Sequence, residues 1–185
     1  YNPGGPGQNI TNPANHIIES ASDVVNVFQG GNGYPNLSSA IAAIKNGVHG
    51  TGAINVEINC DVLETGTVNI NDGSFIPSSI TIYPTADHIT LSKTALPFDN
   101  INIYTTNTDI TIDGRKNKTG NHRALTIIGN LNNGIGKYGC IKFAGTKNCT
   151  VQYVNFEFSS NYGFEQIALG NTTSAVTNIN NNVFK

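Results

Sequence analysis

Cys149-Thr150-Val151-Gln152-Tyr153-Val154-Asn155-Phe156 and Thr177-Asn178-Ile179-Asn180-Asn181-Asn182-Val183-Phe184 follow one plan of two inward positions, a turn position and a closing Phe. Val151 and Ile179 stand 28 residues apart, as do Phe156 and Phe184. The triplet before each copy also recurs, with Ile141-Lys142-Phe143 matching Ile167-Ala168-Leu169 at a spacing of 26. A third copy begins at Ile110-Thr111-Ile112-Asp113-Gly114, with Gly114 at the turn position and a longer loop after it. Repeats of this length point to stacked units, none of which can bury its apolar face alone.

Outward from these copies the same alternation fills most of the chain. Ile54-Asn55-Val56-Glu57-Ile58, Val68-Asn69-Ile70, Ile80-Thr81-Ile82, Ile89-Thr90-Leu91 and Ile101-Asn102-Ile103 all read with period two. Each run is short, β-branched and bounded by Gly, Asn, Asp or Pro, which marks it as a strand with one face inward. Strands of this kind suit a sandwich, a barrel or a solenoid equally. The repeat favours the solenoid over the sandwich. Three short strands per unit fit the spacing, whereas adjacent hairpins need tight two-residue turns that the connections do not offer.

One segment breaks the period. In Tyr34-Pro35-Asn36-Leu37 and the residues that follow, Leu37, Ala40, Ile41 and Ile44 fall at helical spacing. Pro35 suits the first turn and Gly47 the C′ position, where a left-handed residue ends a helix. The chain thus divides into a tail or linker at 1–23, an opening strand and amphipathic helix at 24–52, and β rungs at 53–185. The first rung of a solenoid exposes an apolar core and an open edge, and the helix stripe is their natural cover. The other end stops directly after a strand with no capping signal, so Lys185 reads as a boundary within a longer protein.

Composition narrows the function classes. Only 12% of residues are charged, Met and Trp are absent, and Asn is the most frequent residue, a profile that opposes disorder and favours β structure with polar turns. A net charge of −2 supplies no field for nucleic acid. No apolar run approaches the ~20 residues of a spanning helix, which argues against membrane insertion. Cys60, Cys140 and Cys149 are an odd count. Three buried thiols packing as hydrophobes compete with a Cys140–Cys149 bridge. Five sequons, at Asn9, Asn36, Asn117, Asn148 and Asn171, are expected by chance in so Asn- and Thr-rich a chain. His16, His49, His88 and His122 show no metal-ligand spacing.

The order of Asn107-Thr108-Asp109-Ile110-Thr111-Ile112-Asp113-Gly114, Ala124-Leu125-Thr126-Ile127-Ile128-Gly129 and the stretch from Gly139 to Phe158 resembles the pectin-lyase-like superfamily of right-handed parallel β-helices. The front part, from Gly30 to Asn59, resembles the entry of such proteins, where a Gly-rich turn and a short helix precede the first rung. The wording is most similar to large surface proteins exported by type IX secretion. The resemblance covers about Phe28 to Lys185 and implies an all-β solenoid with a short N-terminal capping helix, secreted or held at the cell surface. Superfamily enzymes use acidic residues to hold Ca2+, or paired Asp for hydrolysis, with Arg or Lys near the scissile bond. Asn107-Thr108-Asp109 spells one hydrolase segment, but no Asp pair or Gly-His-Gly follows it. No cofactor is expected outside a lyase reading, in which Ca2+ would serve.

The candidate site residues come from two groups. Asp113, Arg115 and Lys116 head the densest polar cluster, and they read as a basic loop that grips an acidic sugar, with Asp113 orienting Arg115. The competing reading is an ordinary solvated turn. Lys142 and Glu157 are expected to point outward from neighbouring strands beside Gln152 and Asn155, with Glu165 and Gln166 near Lys142 on the next rung. Tyr153, at a turn position, is expected to be exposed and able to stack on a sugar ring. The leading expectation is a non-catalytic extracellular adhesion or stalk module that binds polysaccharide or a cell-surface glycan. The rivals are the N-terminal part of a polysaccharide lyase or glycoside hydrolase acting on uronate glycans, and a phage tailspike-type recognition protein.

Overall fold

The computed structural model describes residues 24–28, 33–70, 77–94, 101–104, 108–129, 140–143, 149–158, 167–169, 177–180 and 183–184, the backbone alone for 158 and the last three segments. The expected tail at 1–23, with His16 and the Asn9 sequon, lies outside the described residues, as do Asn148, Glu165, Gln166 and Asn171. β1 (Val24–Val27) is followed by one helix, α1 (Leu37–Lys45). Then come β2 (Ala53–Ile58), β3 (Val62–Glu64), β4 (Val68–Ile70), β5 (Ser79–Pro84), β6 (Ile89–Lys93), β7 (Ile101–Ile103) and β8 (Asp109–Asp113). The series closes with β9 (Leu125–Gly129), β10 (Ile141–Phe143), β11 (Cys149–Gln152), β12 (Val154–Phe158), β13 (Ile167–Leu169), β14 (Thr177–Asn180) and β15 (Val183–Phe184).

All the pairings are parallel, and from β2 onward each strand pairs with the one three places later. The result is three sheets, ordered β1-β2-β5-β8-β11-β14, β3-β6-β9-β12-β15 and β4-β7-β10-β13. The chain visits each sheet in turn, so three strands make one rung. The pairing registers coincide with the sequence repeat: Val151 lies opposite Ile179 and Ile112, Phe156 opposite Phe184, and Ile141 opposite Ile167.

Because side chains alternate along a strand, register turns each repeat position into a column. Val25, Val56, Ile82, Ile112 and Val151 follow one another inward across the first sheet. Val68, Ile101 and Ile141 do the same in the third. All are buried and belong to one core that also takes in Leu91, Ile127, Phe143 and Phe156. Each such side chain is worth about 1.5–3 kcal/mol of transfer from water. Cys140 and Cys149 join the same core without a bridge between them; the Cys140 Sγ lies 3.6 Å from the Ile127 carbonyl.

The helix lies where the stack begins. It packs against β1, β3 and β4, the terminal strands of the three sheets, and buries Leu37, Ala40, Ile41 and Ile44. Asn36 rather than Pro35 opens it: the Asn36 side chain accepts from Ser39 N at 2.9 Å. Asn46 is the C-cap, and Gly47 follows at φ 77°, donating to the Ile44 carbonyl while Val48 N–H donates to Ala43, the two bonds of a Schellman ending. The outer edge of β1 is taken up in part by Tyr34, whose N–H donates to Asn26 O at 2.8 Å and whose carbonyl accepts from Phe28 N at 2.9 Å.

β3 carries no apolar-x-apolar signal because its second inward residue is Glu64, which is fully buried. Its carboxylate accepts from Leu37 N at 2.6 Å, from Ser38 N at 3.4 Å and from Ser38 Oγ at 2.5 Å. Glu64 and Asn36 between them satisfy the first three helical N–H groups, and a negative charge at this end suits the helix dipole. Lys93, the register partner of Glu64, is also buried and donates to Thr67 Oγ1 at 2.9 Å. Glu64→Ala strands the buried Leu37 N–H and the part-buried Ser38 N–H, and should lower unfolding free energy by roughly 2–3 kcal/mol in urea titration. A loss below about 0.5 kcal/mol would show that the apolar stripe alone seats the helix.

Candidate functional site

On β8, Ile110 and Ile112 point inward, so Asp113 belongs to the outer face; yet it is only 2% exposed. The cause is the chain that follows. From Gly114 it leaves the strand, forms a tight 3-10 turn at Lys116–Lys118, and returns to β9. The base is closed on the Gly114 carbonyl, which accepts from Ala124 N at 2.7 Å and Leu125 N at 3.0 Å. Asn117 and Lys118 take φ of 50° and 61° and, after an extended Thr119, Gly120 takes 71°, left-handed positions that turn the loop back over the sheet. For the two non-glycine residues this conformation is unfavourable and must be held by contacts.

Those contacts are polar. Arg115 donates from Nε to Asp113 Oδ1 at 2.9 Å and from a terminal nitrogen to Oδ2 at 2.6 Å, and its backbone N–H reaches Oδ1 at 3.1 Å. Gln152, the register partner of Asp113, donates to Oδ2 at 2.8 Å. The Arg115 guanidinium lies 4.6 Å from the centroid of the Tyr153 ring. Lys116 pairs with Asp87 at 3.0 Å, both exposed, and His122 stands 4.0 Å from the same carboxylate. Lys118 lies 4.4 Å from the centre of the Tyr83 ring and donates to Asn55 Oδ1 at 3.0 Å.

Ionisation follows from these neighbours. Burial works to raise the Asp113 carboxyl, but hydrogen bonds from the Arg115 side chain and backbone and from Gln152 outweigh it and hold the group below its ordinary value. Arg115 is correspondingly raised by the hydrogen bond it donates to Asp113. Asp87, on the surface, is lowered chiefly by the Lys116 hydrogen bond. Burial and a 2.6 Å hydrogen bond to Glu57 push the Tyr83 phenol up to about 12.

Gly114 explains the turn position shared by the repeat copies. A Cβ there would lie 2.1 Å from the Tyr153 carbonyl oxygen and 2.6 Å from its carbon, both fixed backbone. Tyr153 itself sits at φ 56°. Two turns on adjacent rungs are therefore nested, and the closer one has to lack a side chain.

The sequence-derived residues meet only in part. Asp113 does orient Arg115, and Tyr153 joins them. Tyr153 is half-buried with Arg115 over its ring, rather than an open stacking platform. Lys142 and Glu157 do not face out from neighbouring strands: β10 and β12 belong to different sheets, where Lys142 lies opposite Asn102 and Glu157 opposite Ile128. Asn55, Glu57, Tyr83 and Asp87 hold the loop but carry no sequence signal, since their partners lie 26 to 63 residues away. Among the described residues no three His, Cys, Asp or Glu side chains are grouped to hold a metal ion, and no helix is long and apolar enough to cross a membrane.

Two tests follow. Gly114→Ala should be severely destabilising, lowering stability by roughly 3 kcal/mol or more, or should prevent folding; a variant with wild-type melting would refute the nested turn. A carboxyl that ionises more readily folded than unfolded adds stability above its unfolded value, about 3.9, which is lost as pH falls through the lower folded value. The stability gap between wild type and Asp113→Asn should therefore be constant above about pH 5 and close below about pH 4; urea titrations across that range that show a flat difference would contradict it.

Comparison with family models, curated proteins and solved structures finds no match to this chain.

Proposed function

We propose that this chain is part of an extracellular right-handed parallel β-helix of the pectin-lyase-like kind, acting as a structural and adhesive module that touches carbohydrate with its outer face and performs no chemistry in this segment. The reading rests chiefly on the state of Asp113. A general acid must hold a proton near working pH, and a general base must have a free lone pair aimed at its target. Asp113 is kept ionised by Arg115, and both its oxygens accept from Arg115 or Gln152. Such a carboxylate positions a partner rather than moving protons.

The outer surface supports the adhesive part. Thr81, Thr111 and Thr150 are successive register partners on the first sheet. Strand spacing repeats such groups every ~4.8 Å, which sets their hydroxyls in a fixed row. Because strands rather than loops carry the row, binding it costs little ordering.

A glycan array and a cleavage assay on uronate polymers, with and without Ca2+, test the proposal. Retention of a subset of glycans without release of unsaturated or reducing ends is expected. Cleavage by the segment alone would overturn the non-catalytic reading, and failure to retain any glycan would overturn the carbohydrate reading.

A further inference from the structure

We infer that His88 and His122 form a two-imidazole clip for a divalent transition-metal ion, Cu2+ or Zn2+, at the outer corner between the first and second sheets. The clip is separate from any carbohydrate contact. No spacing in the sequence announces it; the stacking of rungs brings the two rings together. Ile89, which follows His88, pairs with Leu125 and donates to the Ala124 carbonyl at 2.8 Å. The turn after β5 therefore lies beside the stretch that enters β9, and the imidazole centroids stand 6.0 Å apart with the rings at 77°. A metal about 2.1 Å from one nitrogen of each ring would set the centroids about 5 Å apart. Closing the clip takes a shift of about 1 Å, which rotation of two exposed side chains supplies.

Two further observations favour a metal. Both histidines are exposed, the His122 side chain to 65%, and among the described residues no hydrogen bond occupies a nitrogen of either ring. His49 shows the contrast: its Nε2 shares a 2.8 Å hydrogen bond with the Tyr34 hydroxyl and is spent on the fold. Asp87 Oδ1 lies 4.0 Å from His122 Nε2. This carboxylate, held ionised chiefly by Lys116 and in smaller part by His122 and His88, sets a negative charge beside the rings. Imidazole nitrogens select Cu2+ and Zn2+, whereas Ca2+ and Mg2+ take oxygen donors. No third His, Cys, Asp or Glu is grouped with the pair to ligate among the described residues, so water completes the coordination. A bound ion would tie the loop after β8 to the turn after β5. The exposed Lys116–Asp87 pair also bridges that junction and contributes little by itself.

The test titrates Cu2+, Zn2+ and Ca2+ separately into the wild-type chain and into His88→Ala, His122→Ala and His16→Ala, read by calorimetry and, for Cu2+, by electron paramagnetic resonance. One Cu2+ or Zn2+ per chain, a spectrum with two coordinated imidazole nitrogens, and a Tm that rises with metal concentration are expected. His88→Ala and His122→Ala should each weaken binding ~10-fold or more, and the double variant should bind no more weakly than either single one. His16→Ala should leave binding unchanged. Undiminished affinity in His88→Ala or His122→Ala, loss in His16→Ala, or Ca2+ bound as tightly as Zn2+ would each overturn the clip. If either variant fails to fold, the nitrogen count in the wild-type spectrum decides alone: fewer than two imidazoles overturns it.

Discussion

In-register parallel pairing is the constraint on which the rest of the structure depends. Once strand n is bonded to strand n+3, each residue has its neighbours above and below chosen for it. An inward position has to be apolar on every rung or be compensated on the spot. The backbone groups of interior rungs are satisfied by the rungs on either side, so unsatisfied groups concentrate at turns and at the ends of the stack.

The start of the stack shows how such an end is closed. Helix α1 supplies an apolar stripe where the second and third sheets would otherwise show bare cores, but a helix brings orphan N–H groups of its own. Glu64 answers them from an inward position on β3. A buried carboxylate is costly unless it is hydrogen-bonded, and here the cost of the charge and the cost of the unmet donors offset each other. Removing either partner leaves the other exposed to its full penalty, which ties the seating of the helix to the first rung.

The outer face follows a different logic. The loop after β8 lies over residues of β2 and β5 because Lys118 finds Tyr83 and Asn55 there and Lys116 finds Asp87 just past β5, while Arg115 holds its base to Asp113 and Tyr153. The surface pair of Lys116 and Asp87 contributes little. The Arg115–Asp113 pair is largely shielded from water, bidentate and supported by Gln152, so it is the contact that fixes the loop. A left-handed run at Asn117 and Lys118 is then sustained by what lies at both of its ends.

The period can be read from the order of residues alone. Spacings of 26 and 28 residues, the triplets of alternating apolar residues, and the helical stripe at Leu37, Ala40, Ile41 and Ile44 contain the registers, the inward columns and the covering helix, because each is a local pattern set by side-chain alternation or by helical pitch. β3 stayed hidden, since Glu64 breaks the apolar alternation and makes sense only beside a helix that begins 27 residues earlier in the chain. Asp113 and Arg115 were legible as a pair because they are two residues apart. The grouping of Lys142 with Glu157 was not reliable, because alternation tells which residues point outward and not which of three sheets they stand on. The folded chain assigns the sheets, and folding alone brings Tyr83, Asp87 and Asn55 under the loop, because those contacts depend on how rungs are stacked and on no pattern within a single strand.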